Sequence, residues 1–310
     1  MKEKIPVVVV AGPTASGKTR LAIDIANSFD GEIVSADSMQ IYKYMDIGTA
    51  KPTYEERREC VHHLIDFVEP DEDFSVAQYT ELAHKVIYDI YSRGKLPVMC
   101  GGTGLYINSV IDDITFGEME SDEKLRAELR EIAEREGNEK LIEILSEFDP
   151  VSAARLHPNN VRRVIRAIEF YKLTGIPISQ HQEMTKQTES RYNPVMFCIN
   201  YERSVLYERI NRRVDIMISE GLVDEVSHLM KMGYTADLNS MKAIGYKEIA
   251  EYINGKCTLE EAIESVKQGS RRYAKRQLTW FRRDKRIIML DPDSAAEEAK
   301  DIIKDRFFKR

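Results

Sequence analysis

Residues 12–19, Gly-Pro-Thr-Ala-Ser-Gly-Lys-Thr, constrain this chain most, because they fit the spacing G-x-x-x-x-G-K-[ST] of a phosphate-binding loop. The apolar, β-branched run at 7–11 stands directly before this loop and is typical of a buried parallel strand. Apolar residues then recur at every fourth position from 21 to 29, which predicts a helix with one apolar face. A chance glycine-rich turn would rarely bring both neighbours with it.

The charges of this stretch indicate what it binds. Backbone N–H groups of the loop and the positive end of the following helix can surround a polyphosphate, and Lys18 adds a full positive charge. The Thr19 hydroxyl is placed to bind Mg²⁺. We therefore predict a diphosphate- or nucleotide-binding site formed by Gly12, Pro13, Thr14, Ala15, Ser16, Gly17, Lys18 and Thr19.

Length and composition allow two domains, or one domain with a large insertion. The chain has 310 residues, of which 43% are hydrophobic and 31% charged, as in a globular protein with a sizeable core. No apolar run reaches the roughly 18 residues of a membrane span, and the N-terminus lacks a signal-peptide pattern. The four cysteines form no C-x-x-C pair, which argues against zinc and a disulfide framework. We expect a cytoplasmic, monomeric protein with no membrane partner.

Charge is unevenly distributed along the chain. The net charge of −7 argues against a nucleic-acid partner, but residues 267–286 hold nine Lys or Arg and one acidic residue. A smaller basic cluster lies between 155 and 172, whereas acidic residues concentrate at 118–147 and 291–305. This segregation allows a basic face on an acidic protein.

Two further strands are predicted to end close to the phosphate-binding loop. Residues 32–37 read as a short strand with Asp37 at its carboxyl end, where the ligands of open parallel sheets bind. An Asp that only caps the next turn is the competing interpretation. Residues 96–100 predict another buried strand, and the turn Gly-Gly-Thr-Gly follows it at 101–104. Thr103 can therefore offer its hydroxyl close to the loop.

The remaining pattern predicts an α/β core interrupted by a helical insertion. Strand signals stop between 115 and 188, where Ser121 and Asn159 are predicted to cap two helices. The fold class is α/β, with a P-loop NTPase-like parallel sheet in 1–114 and 189–310, an all-helical insertion at 115–188 and a helical C-terminal part. Outside the insertion, we predict strands at 63–68, 194–200 and 287–290, and helices at 75–94, 204–219, 222–232, 258–280 and 295–307.

Three groups of basic residues are candidates for anion binding. Arg162, Arg163 and Arg166 share a helix face, although a solvated charged face is the default explanation of such a trio. The helix at 204–219 includes Arg213, and an arginine after a late strand often closes over phosphates in P-loop folds. Residues 271–283 interleave basic and aromatic side chains, which suits an RNA backbone with stacked bases. The same helix could also be half buried by its aromatic residues, and both interpretations can hold together.

Five segments together resemble the bacterial tRNA dimethylallyltransferase family. They are GPTASGKT at 12–19, SADSMQIY at 35–42, DIGTAKP at 46–52, GGTGLY at 101–106 and AKRQLTWFRR at 274–283. The similarity runs in order along essentially the whole chain, with Asn160 standing where the family pattern has Asp. The resemblance implies a P-loop fold that transfers a dimethylallyl group from dimethylallyl diphosphate to N6 of adenosine 37, next to the tRNA anticodon.

The resemblance also implies roles for individual residues. Asp37, Thr103 and Arg213 would be catalytic, Asp37 as the group that accepts the N6 proton, and residues 12–19 would hold the diphosphate, with Thr19 on Mg²⁺. The implied tRNA contacts are Asp37, Ser38, Met39, Gln40, Thr103, Arg126, Arg162, Arg163, Val164, Ile165, Arg166, Lys242, Gly245, Tyr246, Lys275, Arg276, Gln277, Trp280 and Arg282.

Three other functions compete with tRNA prenylation. A small-molecule kinase or NTPase fits the glycine loop, but it would leave the basic aromatic helix without a role. A prenyltransferase acting on free AMP, ADP or ATP shares the first half of the pattern, whereas the insertion and the basic helix favour a macromolecular acceptor. A non-enzymatic RNA-binding module would not need Lys18 and Asp37 close together.

Overall fold

A computed structural model describes residues 4–114, 122–186 and 189–309. The chain divides into two compact units, one made of Met1–Ile111 and Arg191–Arg310 and the other of Asp112–Ser190. The insertion predicted at 115–188 falls within the second unit. Among the described helices, none is both long enough and apolar enough to cross a lipid bilayer.

The first unit is built on a six-stranded sheet in which every pairing is parallel, in the order β3-β2-β4-β1-β5-β6. The predicted α/β class is therefore confirmed. The strands are β1 (Ile5–Ala11), β2 (Gly31–Ser35), β3 (His62–His63), β4 (Leu96–Gly101), β5 (Tyr192–Ile199) and β6 (Ile287–Leu290).

Helices surround the sheet in the first unit and make up the described part of the second, which contains α5 to α9. In chain order they are α1 (Lys18–Ser28), α2 (Tyr54–Glu59), α3 (Val76–Ser92), α4 (Gly104–Ile111), α5 (Glu123–Glu136), α6 (Asn138–Ser146), α7 (Pro150–Arg155), α8 (Val161–Thr174), α9 (Ile178–Lys186), α10 (Arg203–Ser219), α11 (Leu222–Lys231), α12 (Tyr246–Ile253), α13 (Leu259–Phe281) and α14 (Ala295–Ile303).

Both faces of the central strands are buried, which is why β1 is apolar at successive positions instead of alternating. Val7 and Val9 pack on one side against α3 and α4. Val8 and Val10 pack on the other side against α1 and α14. Because β2, β4 and β1 are parallel neighbours in the sheet, their carboxyl ends lie side by side. This edge of the sheet positions the residues described below.

Capping boxes and glycines in the sequence predicted several helix ends correctly. Ser75 and Thr258 form the predicted capping boxes of α3 and α13, each accepting the backbone N–H three residues on. Gly137 and Gly175 follow α5 and α8, as predicted. Short α2 was not predicted, although its capping box at Thr53 carries the same signature.

Other predicted boundaries were wrong. The strand expected at 63–68 is reduced to His62–His63, because Leu64 and Asp66 take positive φ values of 58° and 63° that end a strand. The residue before α8 is Asn160 and not Asn159, and its side chain makes no cap hydrogen bond. The terminal helix ends at Ile303 and continues as a π-helical turn.

The prediction that Ser121 caps a helix lies outside the described residues. The side chain of Asp122, the first described residue after that gap, accepts the Leu125 N–H at 2.9 Å at the start of α5.

Gly101 is required by a close backbone approach between two strand ends. A Cβ at this position would lie 2.1 Å from the Ala36 carbonyl oxygen, far inside van der Waals contact. Gly269 is a useful contrast, since it lies within α13 and a Cβ there would meet Ile244 Cγ2 at an ordinary 3.4 Å.

We expect Gly101→Ala to lower the free energy of unfolding by about 1–3 kcal/mol, because backbone atoms must move to admit the methyl group. Gly269→Ala should instead raise it by roughly 0.5–1 kcal/mol, since Ala is the better helix former. Urea unfolding followed by circular dichroism measures both. Equal effects of the two substitutions would contradict the close approach at residue 101.

Candidate active site

The phosphate-binding loop adopts a compact turn between β1 and α1. Ser16 Oγ donates a hydrogen bond to the Pro13 carbonyl at 2.9 Å, and Ala15 and Gly17 take left-handed φ values of 61° and 82°. Lys18 is the first residue of α1, so its side chain starts where the helix N-terminus is most positive. The loop therefore has the local structure that its sequence predicts.

The side chains of Lys18 and Arg213 both line the cavity beside this loop, and neither forms an ion pair among the described residues. Burial lowers the pKa of Lys18, an effect that the Asp37 charge partly offsets, and burial likewise lowers the pKa of Arg213. Lys18 Nζ reaches only the Pro13 carbonyl, at 3.4 Å, and the buried Nε of Arg213 has no hydrogen-bond partner among the described residues. Desolvated cations in this state attract an anion strongly.

Arg209, one turn before Arg213 on α10, supports the loop from outside. Its Nε donates to the Ala15 carbonyl at 2.9 Å, and its guanidinium lies 4.7 Å from the centre of the Tyr201 ring. Arg209 therefore holds the loop through its backbone. Arg213 lines the cavity described below.

Two buried thiols lie near Lys18, but neither is set up for chemistry. Burial raises the pKa of Cys100 and of Cys198 to about 12, with the Lys18 charge acting in the opposite direction. Both thiols are neutral at physiological pH and belong to the core around the sheet.

Asp37 follows β2 at the predicted edge of the sheet. One of its oxygens, Oδ1, accepts the Met39 N–H at 3.0 Å, so the turn-capping interpretation is correct as far as it goes. Its negative charge also acts on the pKa of Lys18 and of Arg213, which places the carboxylate within electrostatic reach of both cations. Capping the turn fixes one oxygen of the carboxylate and leaves the other without a partner in the described ranges.

Thr103 is held next to Asp37 by the turn that follows β4. Its hydroxyl accepts the Ser38 N–H at 3.1 Å and donates to Ser38 Oγ at 3.3 Å. Tyr273 on α13 lies close by: burial, with the Asp37 charge, raises its pKa to about 12, and the Thr103 hydroxyl hydrogen-bonds to it. The phenol is therefore neutral at physiological pH. Tyr273 was missed from the sequence, although it is four residues before Gln277, on the same face of α13.

Lys18, Asp37, Arg213 and Tyr273 line one cavity of about 1070 Å³ within the first unit. Typical small-molecule pockets measure roughly 300–1,000 Å³, so this cavity has room for a diphosphate and a nucleobase together. Residues 46–54 and segments of α10 and α13 complete its wall.

Glu225 organises the part of that wall that follows the SADSMQIY segment. Its carboxylate accepts the N–H groups of Asp46 and Ile47 at 2.9 Å each, that of Gly48 at 3.2 Å, and the Tyr246 hydroxyl at 2.6 Å. Residue 48 must be glycine, since a Cβ there would lie 2.4 Å from the Tyr246 ring. Sequence reasoning missed Glu225, because no local pattern links residues about 180 positions apart.

Some of the predicted tRNA contacts in the first unit have side chains that are already occupied. Gln40 donates to the carbonyls of Thr49 and Ala50, Tyr246 is buried, and Gln277 donates to the Gly102 carbonyl at 2.8 Å. These three side chains hold the cavity wall in this structure. Gly245 is also buried, directly before α12.

The other predicted contacts in the first unit are accessible. Ser38 and Met39 line the cavity at the turn after β2. The side chains of Lys242, Lys275, Arg276, Trp280 and Arg282 are exposed. The Arg276 guanidinium lies 5.5 Å from the centre of the Tyr273 ring, at the cavity wall. The C-terminal half of α13 is thus half buried, as the second interpretation predicted, and basic on its outer side. Its contact with RNA stays a prediction.

In the second unit, Arg162, Arg163 and Arg166 are exposed on α8, whereas Val164 and Ile165 are buried in the unit's core. The two apolar residues were predicted tRNA contacts, but their side chains have almost no exposed surface here. We expect them to position the arginines and not to contact RNA. Arg126, on α5, forms ion pairs with Glu123 and Glu169.

Comparison with known proteins gives the same family by a family model and by individual relatives. The family model described as IPP transferase matches residues 40–284. The chain is 54% identical over 280 residues to the tRNA dimethylallyltransferase of Caldanaerobacter subterraneus subsp. tengcongensis, covering 90% of this chain and 89% of that protein. It is 52% identical over 299 residues to the protein of that name from Acetivibrio thermocellus, covering 96% and 95%.

Solved structures agree with the sequence comparison. The tRNA isopentenylpyrophosphate transferase of Bacillus halodurans matches with a TM-score of 0.73 at 46% identity, over 98% of this chain and 97% of that one. A eukaryotic dimethylallyltransferase acting on tRNA matches with a TM-score of 0.82 at 29% identity, over 99% and 81%. The resemblance inferred from the five motifs is confirmed, and this chain belongs to the IPP transferase family.

Proposed function

We propose that this protein transfers a dimethylallyl group from dimethylallyl diphosphate to N6 of adenosine 37 in the tRNA anticodon stem-loop, releasing diphosphate. One observation carries the proposal: a pair of desolvated cations and a carboxylate line the same cavity. The cations suit a diphosphate leaving group, and the carboxylate suits an amine nucleophile that must lose a proton. The names of the relatives support the choice of tRNA and of a five-carbon donor.

At the diphosphate end, the residues stabilise charge that leaves with the oxygen. As the bond between the allylic carbon and oxygen breaks, its electron pair stays with the diphosphate. The N–H groups of the loop, Lys18 and Arg213 can bind that negative charge, and the burial of the two cations strengthens these contacts. Arg213 itself lines the cavity, and its buried Nε has no partner among the described residues.

At the nucleobase end of the cavity, the residues accept the proton that N6 loses. The N6 lone pair is delocalised into the adenine ring, so N6 attacks poorly unless its proton is removed as the new C–N bond forms. We assign that proton to the partner-free oxygen of Asp37. Its other oxygen is fixed by the Met39 N–H, and the Thr103 hydroxyl is held beside it by Ser38. Adenosine 37 must leave its stack to reach the cavity, at a cost of a few kcal/mol.

The residues present fit the proposed Mg²⁺. Within the described ranges, no group of three or more His, Cys, Asp or Glu could hold a metal ion. Mg²⁺ keeps several waters and commonly binds through one or two protein oxygens together with substrate phosphates. The Thr19 hydroxyl lines the cavity beside Lys18 and would supply such an oxygen. When bound, the ion would neutralise charge on the departing diphosphate.

A transfer assay tests the proposed function against its competitors. We expect radiolabel from dimethylallyl diphosphate to enter tRNA and not free AMP, because the exposed basic face of α13 suits a macromolecular acceptor. Label in AMP alone, or hydrolysis of ATP without prenyl transfer, would falsify the proposal.

Asp37→Asn should lower turnover by about 10²–10⁴-fold and leave tRNA affinity near that of the wild type. The amide oxygen of Asn can still accept the Met39 N–H, so the turn should persist while the proton acceptor is lost. Single-turnover transfer and tRNA binding are the two measurements. Asp24→Asn, on the outer side of α1 and paired with Arg20, is the control and should leave both unchanged. A collapse of tRNA binding in Asp37→Asn would show that Asp37 is only a structural cap.

A further inference from the structure

In the described part of the second unit, Glu169 on α8 has a carboxylate with no exposed surface. Charged residues are almost never fully buried unless they are paired. Glu169 accepts hydrogen bonds from Arg126 Nη2 at 3.0 Å, from Arg166 Nη1 at 2.9 Å and from the Asp122 N–H at 3.0 Å, and its Oε1 forms an ion pair with Arg126 Nε at 2.8 Å. Every donor in this set lies within the second unit, so the cluster is complete by itself.

The cluster is ionised and close to electrically neutral. Burial raises the pKa of Glu169, but the hydrogen bonds from Arg126 and Arg166 outweigh burial, and the net pKa is lowered. Glu123 also pairs with Arg126, at 2.7 Å. The positive charges of the two arginines are therefore cancelled locally by two carboxylates, while the guanidinium planes are fixed in orientation.

Arg162 and Arg163 differ from this pair although they belong to the same helix. Both side chains are exposed, and neither has an ion pair or side-chain hydrogen bond among the residues that the structure describes. Their charges are thus not compensated by any ion pair among the described residues. Sequence spacing alone groups Arg162, Arg163 and Arg166 as one trio, but the structure separates Arg166 from the other two.

This difference has a measurable consequence for RNA binding. A free arginine that contacts a phosphate releases cations condensed on the nucleic acid, so each such contact makes binding more salt-dependent. An arginine already neutralised by a carboxylate adds little net charge and releases few ions. Its remaining N–H groups can still donate to base edges or ribose hydroxyls with fixed geometry, which gives selectivity without electrostatic affinity.

We infer that Glu169 is a positioning residue that divides the arginines of the second unit into two classes. Arg162 and Arg163 supply phosphate attraction. Arg126 and Arg166 form a rigid, charge-neutral fork that selects among RNAs by hydrogen bonding. This inference rests on the proposed function, because it takes tRNA as the macromolecular partner.

Salt titration of tRNA affinity separates the two classes. Arg162→Ala and Arg163→Ala should each reduce the slope of log affinity against log salt concentration by roughly one unit. Arg126→Ala should weaken binding of the substrate tRNA several-fold and leave the slope within about a third of a unit of wild type. Arg135→Ala is the matched control: it lies nine residues further along α5, on the opposite face, and pairs with exposed Glu136. It should change neither quantity.

Glu169→Gln provides the converse test, since it removes the charge while keeping the shape. Released from their carboxylate, Arg126 and Arg166 should steepen the salt slope by roughly one unit. The affinity ratio between the substrate tRNA and a tRNA whose anticodon stem-loop differs in sequence outside adenosine 37 should fall several-fold. Thermal unfolding by circular dichroism establishes whether this variant folds. If it does not, the comparison of Arg126→Ala with Arg163→Ala decides the question.

Two results overturn the inference. One is a slope flattened by a full unit in Arg126→Ala, and the other is a Glu169→Gln protein that folds and keeps the wild-type slope and selectivity. Failure of the proposed function looks different: the wild-type protein would then bind tRNA no better than it binds an unrelated RNA, or would transfer no label to it.

Discussion

The site depends on the desolvation of two cations, Lys18 and Arg213, that form no ion pair within the described residues of the first unit. Lys18 and Arg213 both have lowered pKa values because burial penalises their charged forms, and the buried Nε of Arg213 lacks a partner in the described part of the chain. Buried cations of this kind are stabilised when an anion binds beside them. The lack of an ion-pair partner destabilises the free protein, but it favours the state in which negative charge accumulates on the diphosphate.

Parallel pairing of the strands brings Asp37, the proposed proton acceptor, close to these cations. β4 pairs with both β1 and β2, so the turns that follow the three strands meet at one edge of the sheet. The Ala36 carbonyl accepts the Thr103 N–H at 3.1 Å, and glycine at 101 lets the two backbones approach closely enough for it. Asp37 and Thr103 are therefore neighbours because of backbone geometry. Their proximity needs no long-range side-chain contact.

This explains which features the sequence could predict. The phosphate-binding loop, the α/β class and the positions of Asp37 and Thr103 depend on local periodicity and on the parallel-sheet rule, both of which are visible in short segments. Glu225 and Tyr273 depend on contacts between distant segments and were missed. Gln40, Tyr246 and Val164 were assigned to RNA from the family resemblance, but in this structure the Gln40 side chain is hydrogen-bonded within the wall and the other two are buried. A family resemblance marks a position as important without saying whether its side chain contacts the ligand or supports the cavity wall.

The two units treat positive charge in opposite ways, and the chemistry of their proposed partners explains why. At the diphosphate site, buried cations without ion-pair partners among the described residues attract a small, highly charged group that must bind and leave. In the second unit, Glu169 and Glu123 together cancel the charge of Arg126 and Arg166. Every tRNA presents the same phosphate backbone, so additional free charge there would strengthen binding to all of them equally. Discrimination between RNAs requires hydrogen-bond donors whose direction is fixed. The buried carboxylate of Glu169 fixes the direction of the arginine N–H groups and at the same time neutralises their charge.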